Sequence, residues 1–226
     1  MRTRDARDGF TLVEIIVVLA VISALIAIIT PRIFPYIDDA KKVQAQGDVN
    51  QIAAAIQAMY RDTGRWPFYY DSRGALAYAD GTDAQILTSN TACHGGVAAT
   101  CDTNHPEDAT TGDSWDLATA VADNVTNHMI RNRPFDLAGG ADNAYRMTGH
   151  RAWRGPYLNK MVDVDPWGKS YLVNIANADP ADEGADTQLW VFVISAGPDG
   201  ELDTVATSPG TSDPTPADDD IIARVK

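Results

Sequence analysis

The chain is poor in the side chains that most enzymatic chemistry uses. Its 226 residues include 4 histidines and 2 cysteines. His94, His105, His128 and His150 have neither metal-ligand nor catalytic-triad spacing. Ser195 lies in a strand-like run without the turn that presents a hydrolase nucleophile. Positive charge is also scarce: 18 lysines and arginines face 31 acids, for a formal charge of -13. An extended phosphate-binding surface needs clustered Lys and Arg, so no nucleic-acid partner is expected. The D-x-D-x-D-G run of an EF-hand is missing, and no repeat or low-complexity tract marks residues 68–152.

What is present is concentrated at the start. Residues 15–29 carry no charge and one polar side chain, Ser23, whereas the remainder has the composition of a soluble domain. From Phe10 to Ile29 a helix is about 30 Å long, enough to cross a bilayer. The charged stretch before it contains Arg2, Arg4 and Arg7 and ends at Gly9. Arginines on that side predict a cytoplasmic N-terminus and a body on the other side of the membrane. A conventional secretory signal places its cleavage site after the apolar core; here the order is reversed.

Glu14 does not fit a plain anchor. A carboxylate inside a spanning segment costs about 2.5–3.5 kcal/mol at mid-depth and less near an interface. The cost is offset if a positive group meets it within an assembly, and cleavage between Gly9 and Phe10 creates one, the new α-amino group of Phe10.

Gly9-Phe10-Thr11-Leu12-Val13-Glu14 followed by an unbroken apolar helix resembles the class III signal of bacterial type IV pilins and type II secretion pseudopilins. The resemblance implies that a prepilin peptidase removes residues 1–9 and methylates Phe10. It also implies that Glu14 pairs with the N-terminal amine of a neighbouring subunit. Inside lipid no hydrophobic force drives such helices together. Once outside the membrane, the same surface has to be buried helix on helix.

Pro31 and Pro35 predict a kink or an unwound stretch after the span; the family has a proline matching Pro31. Helical periodicity resumes at Tyr36, with Ile37, Ala40, Val43, Val49, Ile52, Ile56 and Met59 recurring at three- or four-residue steps or their sum. A stop is expected around residues 62–64, confirmed by Pro67. The helical region is thus 10–64, with 10–30 as transmembrane segment and filament core and 36–62 amphipathic. Tyr60, Asp62, Gly64, Trp66 and Pro67 resemble a corner found in pseudopilins.

Residues 65–226 form the expected head. An extended connector, 68–152, contains a helix predicted over 115–131 and falls outside the resemblance. Asn124-Val125-Thr126 is a glycosylation sequon on paper, but its place in that predicted helix marks it as coincidence. The resemblance resumes over 153–226 with Gly155-Pro156-Tyr157-Leu158 and Asp165-Pro166-Trp167-Gly168, which look like the head of the major pseudopilin. Asp-Pro before Trp-Gly predicts a tight turn feeding a strand. Strands are expected over 170–175, 189–195 and 220–225. The fold class is α+β: a long N-terminal membrane-spanning helix packed on a small antiparallel β-sheet head.

Between the last two strands, Asp199, Asp203, Asp218, Asp219 and Asp220 crowd one loop. Ca²⁺ takes six to eight oxygens from carboxylates and carbonyls, which such a loop offers. Major pseudopilins have a calcium loop at this place, and the resemblance carries the ligand role to Asp199 and Asp220; Asp203 and Asp219 are added from chemistry alone. A solvated acidic loop without an ion is the alternative. If the head is exported, Cys93 and Cys101 are expected to close a small disulfide loop; two unrelated buried thiols are the other reading, and a zinc site with His94 and His105 lacks the spacing.

The resemblance implies a structural subunit, not an enzyme: the major pseudopilin of a type II secretion system. Its partners would be other copies in a filament, the prepilin peptidase, an inner-membrane assembly platform and minor pseudopilins. It would sit in the bacterial inner membrane with a single pass and a periplasmic head, then in a periplasmic or extracellular filament. The alternatives are a type IV pilin for adhesion, motility or DNA uptake, and a membrane-tethered metal-dependent enzyme using the acidic loop.

Overall fold

A computed structural model describes residues 10–67, 86–108, 115, 117, 121–133, 145–160, 162–175, 191–205 and 216–225. The chain divides into two compact units, Met1–Lys41 and Lys42–Lys226.

Helix α1 runs over Leu12–Thr63. Thr11 starts it with a reciprocal cap: its backbone N–H donates to Glu14 Oε2 at 2.8 Å, and the Glu14 N–H donates to Thr11 Oγ1 at 3.3 Å, so two donors without helical partners are satisfied. Helical structure continues through Pro31 and Pro35, which corrects the expectation of an unwound stretch. The two prolines are four residues apart and remove donors on the same side, while the rest of the ladder carries the helix. At its end, Gly64 turns left-handed (φ 67°) and donates to the Tyr60 carbonyl at 2.6 Å, a conformation that glycine adopts without a Cβ penalty. Trp66 then stacks on Tyr60 with ring centroids 4.0 Å apart.

Within the second unit, α1 buries Ala45, Val49, Ile52, Ala53, Ala55, Ile56, Met59 and Thr63. Val43 and Ile37, which share the helical period, are exposed; the buried stripe starts at Ala45. It packs on a six-stranded sheet of order β2-β4-β1-β5-β6-β8. The strands are β1 (Ile86–Thr88), β2 (His94–Val97), β4 (Val121–Asn124), β5 (Leu172–Asn174), β6 (Phe192–Ser195) and β8 (Ile221–Arg224). A short helix α2 (Ala98–Cys101) follows β2, and a separate two-stranded pair joins β3 (Glu107–Asp108) to β7 (Glu201–Leu202).

Two expectations are corrected here. The sheet is mixed, because β1 pairs with β4 in parallel, while its other pairings are antiparallel. Residues 121–124 are a strand, not the middle of a helix, and among the described residues of 115–131 helical turns occur at 125–131, with a π-type segment at Asn127–Arg131. Asn124 itself is buried, so its sequon is not an accessible acceptor. The expected C-terminal strands appear as β5, β6 and β8.

Strand side chains alternate between faces. Leu87, Val173, Val191, Val193, Ile221, Ala223 and Val225 join the α1 stripe in one core. Ile86, Leu172, Phe192 and Ile194 point the other way, into a second core closed by Cys93, Ala98, Trp115, Leu117, Ala122 and Leu202. Trp115 meets Phe192 edge-on at 5.8 Å, and its indole N–H donates to the Thr204 carbonyl at 2.9 Å. Sequence between the first helix and the C-terminal sheet thus covers a face that would otherwise expose apolar strands to water.

The covering loop is fixed by polar contacts. Asp102 is buried, and its carboxylate accepts from Thr88 Oγ1 (2.5 Å), Asn90 Nδ2 (2.7 Å), Ser170 Oγ (2.9 Å) and the Asn104 N–H (3.0 Å). Next to it, Cys93 and Cys101 are joined by a disulfide. Ile56 is fully buried in the helix-facing core. An Ile56→Ala substitution is expected to destabilise the head by about 2–5 kcal/mol, as read by denaturant unfolding; a change under about 0.5 kcal/mol, the range of uncoupled surface sites, would contradict this packing.

Candidate functional site

Two regions carry the residues singled out in the sequence, one in each unit. In the first unit Phe10 is described and exposed, whereas Gly9 lies outside the described residues. Leu12, Val13, Ile15, Ile16, Val17, Val18, Leu19, Val21 and Ile22 are all exposed, as are Leu25, Ile26, Ile28 and Ile29. The helix is long and apolar enough to cross a membrane by length and composition. Ser23 and Thr30 turn their hydroxyls onto the Leu19 and Ile26 carbonyls, both at 2.8 Å, so neither polar group needs water. Glu14 Oε2 accepts from both the Thr11 N–H and the Thr11 hydroxyl at 2.8 Å. The sequence reading gave this acid one task, pairing with an amine; the capping role was legible in the T-x-x-E spacing and is an addition.

In the second unit, the acidic loop starts from β6. Asp165, in the Asp-Pro-Trp-Gly turn, is buried. Its Oδ1 accepts from the Trp167 and Lys169 N–H groups at 3.0 and 2.9 Å, and its Oδ2 accepts from Ser195 Oγ at 2.7 Å. Gly168 completes the turn at φ 93° and donates to the Asp165 carbonyl at 3.0 Å. The turn therefore ties the last residue of β6 to the chain entering β5.

Beyond β6, carboxylate oxygens of Asp199, Asp203, Asp218 and Asp219 all lie within 4.8 Å of one another. Asp199 and Asp218 are exposed, and Asp203 and Asp219 are half-buried. Of the four residues proposed as ligands, Asp199, Asp203 and Asp219 come together. Asp220 lies outside that group: it is buried, and its Oδ2 accepts from the Asp203 and Thr204 N–H groups at 2.9 and 2.6 Å. Asp218 takes the fourth place, with a left-handed backbone (φ 47°). The run of three aspartates contained this option, but the sequence does not show which side chain of the run turns inward.

The cluster has an electrostatic cost. Burial, followed by the charge of Asp199, raises the Asp219 carboxyl above its ordinary range. Burial pushes Asp220 up to about 6, against hydrogen bonds from Thr204 and Asp203 that pull it down. Asp219 Oδ1 and Asp220 Oδ1 are both buried without a hydrogen-bond partner. Buried, unpartnered carboxylate oxygens beside three further acids are a donor set suited to a hard cation.

The Prokaryotic N-terminal methylation motif family matches residues 4–30. The chain is also 38% identical over 64 residues to the type II secretion system core protein G of Pseudomonas aeruginosa, a match spanning 28% of this chain and 45% of that protein. No solved structure matches the chain. Both matches support the likeness to pilins and pseudopilins carried by Gly9-Phe10 and Glu14.

Asp220 also sets a pH dependence for the cation-free protein. A carboxyl raised in the folded state binds its proton more tightly there, so its contribution to stability is full below the ordinary carboxylate range and is lost as pH rises through about 6. In chelator, the melting temperature is expected to fall between pH 4 and pH 7, and Asp220→Asn, which keeps the acceptor without the charge, should flatten the part of that fall near pH 6. An unchanged profile in Asp220→Asn would contradict the assignment.

Proposed function

We propose that the chain is a structural subunit of a pilus-like filament, most specifically the major pseudopilin of a type II secretion system. The observation that carries this reading is the exposed apolar run from Leu12 to Ile29, headed by Glu14 and immediately preceded by the Gly9-Phe10 junction. An ordinary anchor accounts for the apolar run and leaves Glu14 unexplained. A filament accounts for both.

In this account a prepilin peptidase cleaves after Gly9 and the new Phe10 amine is methylated. In the membrane the apolar run is solvated by lipid. Glu14 holds its carboxylate on Thr11, which lowers the cost of an acid near the bilayer surface. On assembly the carboxylate meets the positive amine of a neighbouring copy, and the apolar runs of several copies bury one another. The residues supply no reaction; the work of the molecule is assembly. An inner-membrane platform and minor pseudopilins are its proposed partners, with the head on the periplasmic side.

We further propose that the acidic loop binds Ca²⁺, with Asp199, Asp203, Asp218 and Asp219 as candidate ligands. Asp220 supports the loop backbone beside them. A bound divalent ion would offset the burial and the Asp199 charge that together raise Asp219 and supply the partner that its buried oxygen lacks.

Two experiments test these proposals. Glu14→Ala should still be cleaved, yet leave little filament in sheared fractions; normal filament yield would overturn the assembly mechanism. For the loop, calcium at about 100 times its Kd should raise the melting temperature of the full chain in detergent by roughly 5–10 °C. Asp199→Asn combined with Asp219→Asn should abolish that rise, and an unchanged calcium response would remove those ligands.

A further inference from the structure

Asp199 and Asp203, two of the four converging acids, stand on either side of β7, Glu201–Leu202. Whatever fixes the backbone of this strand therefore fixes how the two carboxylates face each other. Two donors do so, both from the connector that the resemblance to pseudopilins does not cover. The Glu107 N–H in β3 donates to the Gly200 carbonyl at 3.0 Å, and the Trp115 indole N–H donates to the Thr204 carbonyl at 2.9 Å. Those carbonyls belong to the residues that directly follow Asp199 and Asp203.

Alone, β3 and β7 would make a poor pair. Each is two residues long, and two-stranded ribbons are marginal in water. Their register sets Glu107 beside Glu201, a like-charge pairing that opposes them. Order is imposed by the segment before β3. Asp102, buried under its four donors, directly follows the disulfide-linked Cys101. The Asn104 carbonyl then accepts from the Ser170 N–H at 2.9 Å, and the His105 carbonyl accepts from Lys169 Nζ at 3.3 Å. The Lys169 stem also lies over Gly200, where a Cβ would meet its Cε at 2.7 Å.

From β7 the restraint passes to the other arm of the acidic loop. Thr204 Oγ1 accepts from the Ala217 N–H at 3.0 Å, and Asp220 Oδ2 accepts from the Asp203 and Thr204 N–H groups. Asp218 and Asp219 lie between these two contacts in the chain. Like-charged carboxylates splay apart when their backbone is free, and gathering them on an ion then carries an ordering cost. Site rigidity is one of the properties that set calcium affinity.

We propose, resting on the reading of the acidic loop as a calcium site, that Glu107 and Trp115 are positioning residues for the ion. Their N–H groups clamp β7 and hold the four aspartates in a shape ready to bind. Neither belongs to the converging carboxylates themselves; Glu107 acts through its backbone and Trp115 through its indole.

Equilibrium dialysis of the full chain in detergent against radiolabelled calcium chloride tests this, at a temperature where each variant is folded. Glu107→Pro removes the N–H, while Glu107→Gln removes the same charge and keeps the N–H, so comparing the two isolates the hydrogen bond. Glu107→Pro is expected to bind calcium about three- to tenfold more weakly than Glu107→Gln. Trp115→Phe keeps a ring against Phe192 and loses the indole donor; it should weaken binding by a similar factor relative to wild type, and it decides the matter if Glu107→Pro fails to fold. Ile56→Ala destabilises the helix-facing core away from the loop and should leave the dissociation constant unchanged. Equal dissociation constants within either pair, or an equal loss of affinity in Ile56→Ala, would overturn the clamp and leave the calcium site standing. Wild-type protein without saturable calcium binding would overturn the calcium reading itself, and the clamp's role with it.

Discussion

Water cannot be left against the apolar faces of this chain, and the head is organised around covering them. Strands β1, β5 and β6 have apolar side chains on both faces, so the sheet needs a layer on each side. The stripe from Ala45 to Met59 supplies one layer. Trp115, Leu117, Ala98 and the disulfide-linked Cys93 supply the other. The buried carboxylate of Asp102, with four donors on it, fixes the loop from which that second layer hangs.

The same constraint applies to the first unit and is not met there. Residues 12–29 expose nearly every large apolar side chain they have. Lipid can cover such a surface, and so can identical helices. Glu14 separates these possibilities physically, because lipid offers no partner for a carboxylate and a neighbouring chain with a free amine does. The Thr11 cap gives that carboxylate a partner within its own chain.

Much of this was legible in the sequence, for identifiable reasons. The long helix, its stop at Gly64 and the C-terminal strands follow from apolar periodicity and from Gly and Pro punctuation, which are local signals. The turn at Asp165 was legible because its aspartate, proline and glycine act within a few residues. What was missed depends on distant partners. Residues 121–124, Val-Ala-Asp-Asn, have no strong local preference, and strand β1 captures them in a parallel pairing that local propensity cannot encode. Val43 keeps the helical period, yet it is exposed where Ala45 is buried. In the aspartate run, periodicity could not decide that Asp220 turns onto the backbone of Asp203 and Thr204 while Asp218 faces the other acids.

The central claim is that copies of this chain cover one another along residues 12–29, with each Glu14 satisfied by a neighbour's Phe10 amine. Electron cryomicroscopy of assemblies purified from the native host tests this most directly. The account predicts a helical filament whose core is made of these segments, each starting at an N-methylated Phe10 within hydrogen-bonding distance of an adjacent Glu14. Assemblies whose apolar segments remain separately embedded in lipid, or whose chains still begin before Gly9, would contradict it.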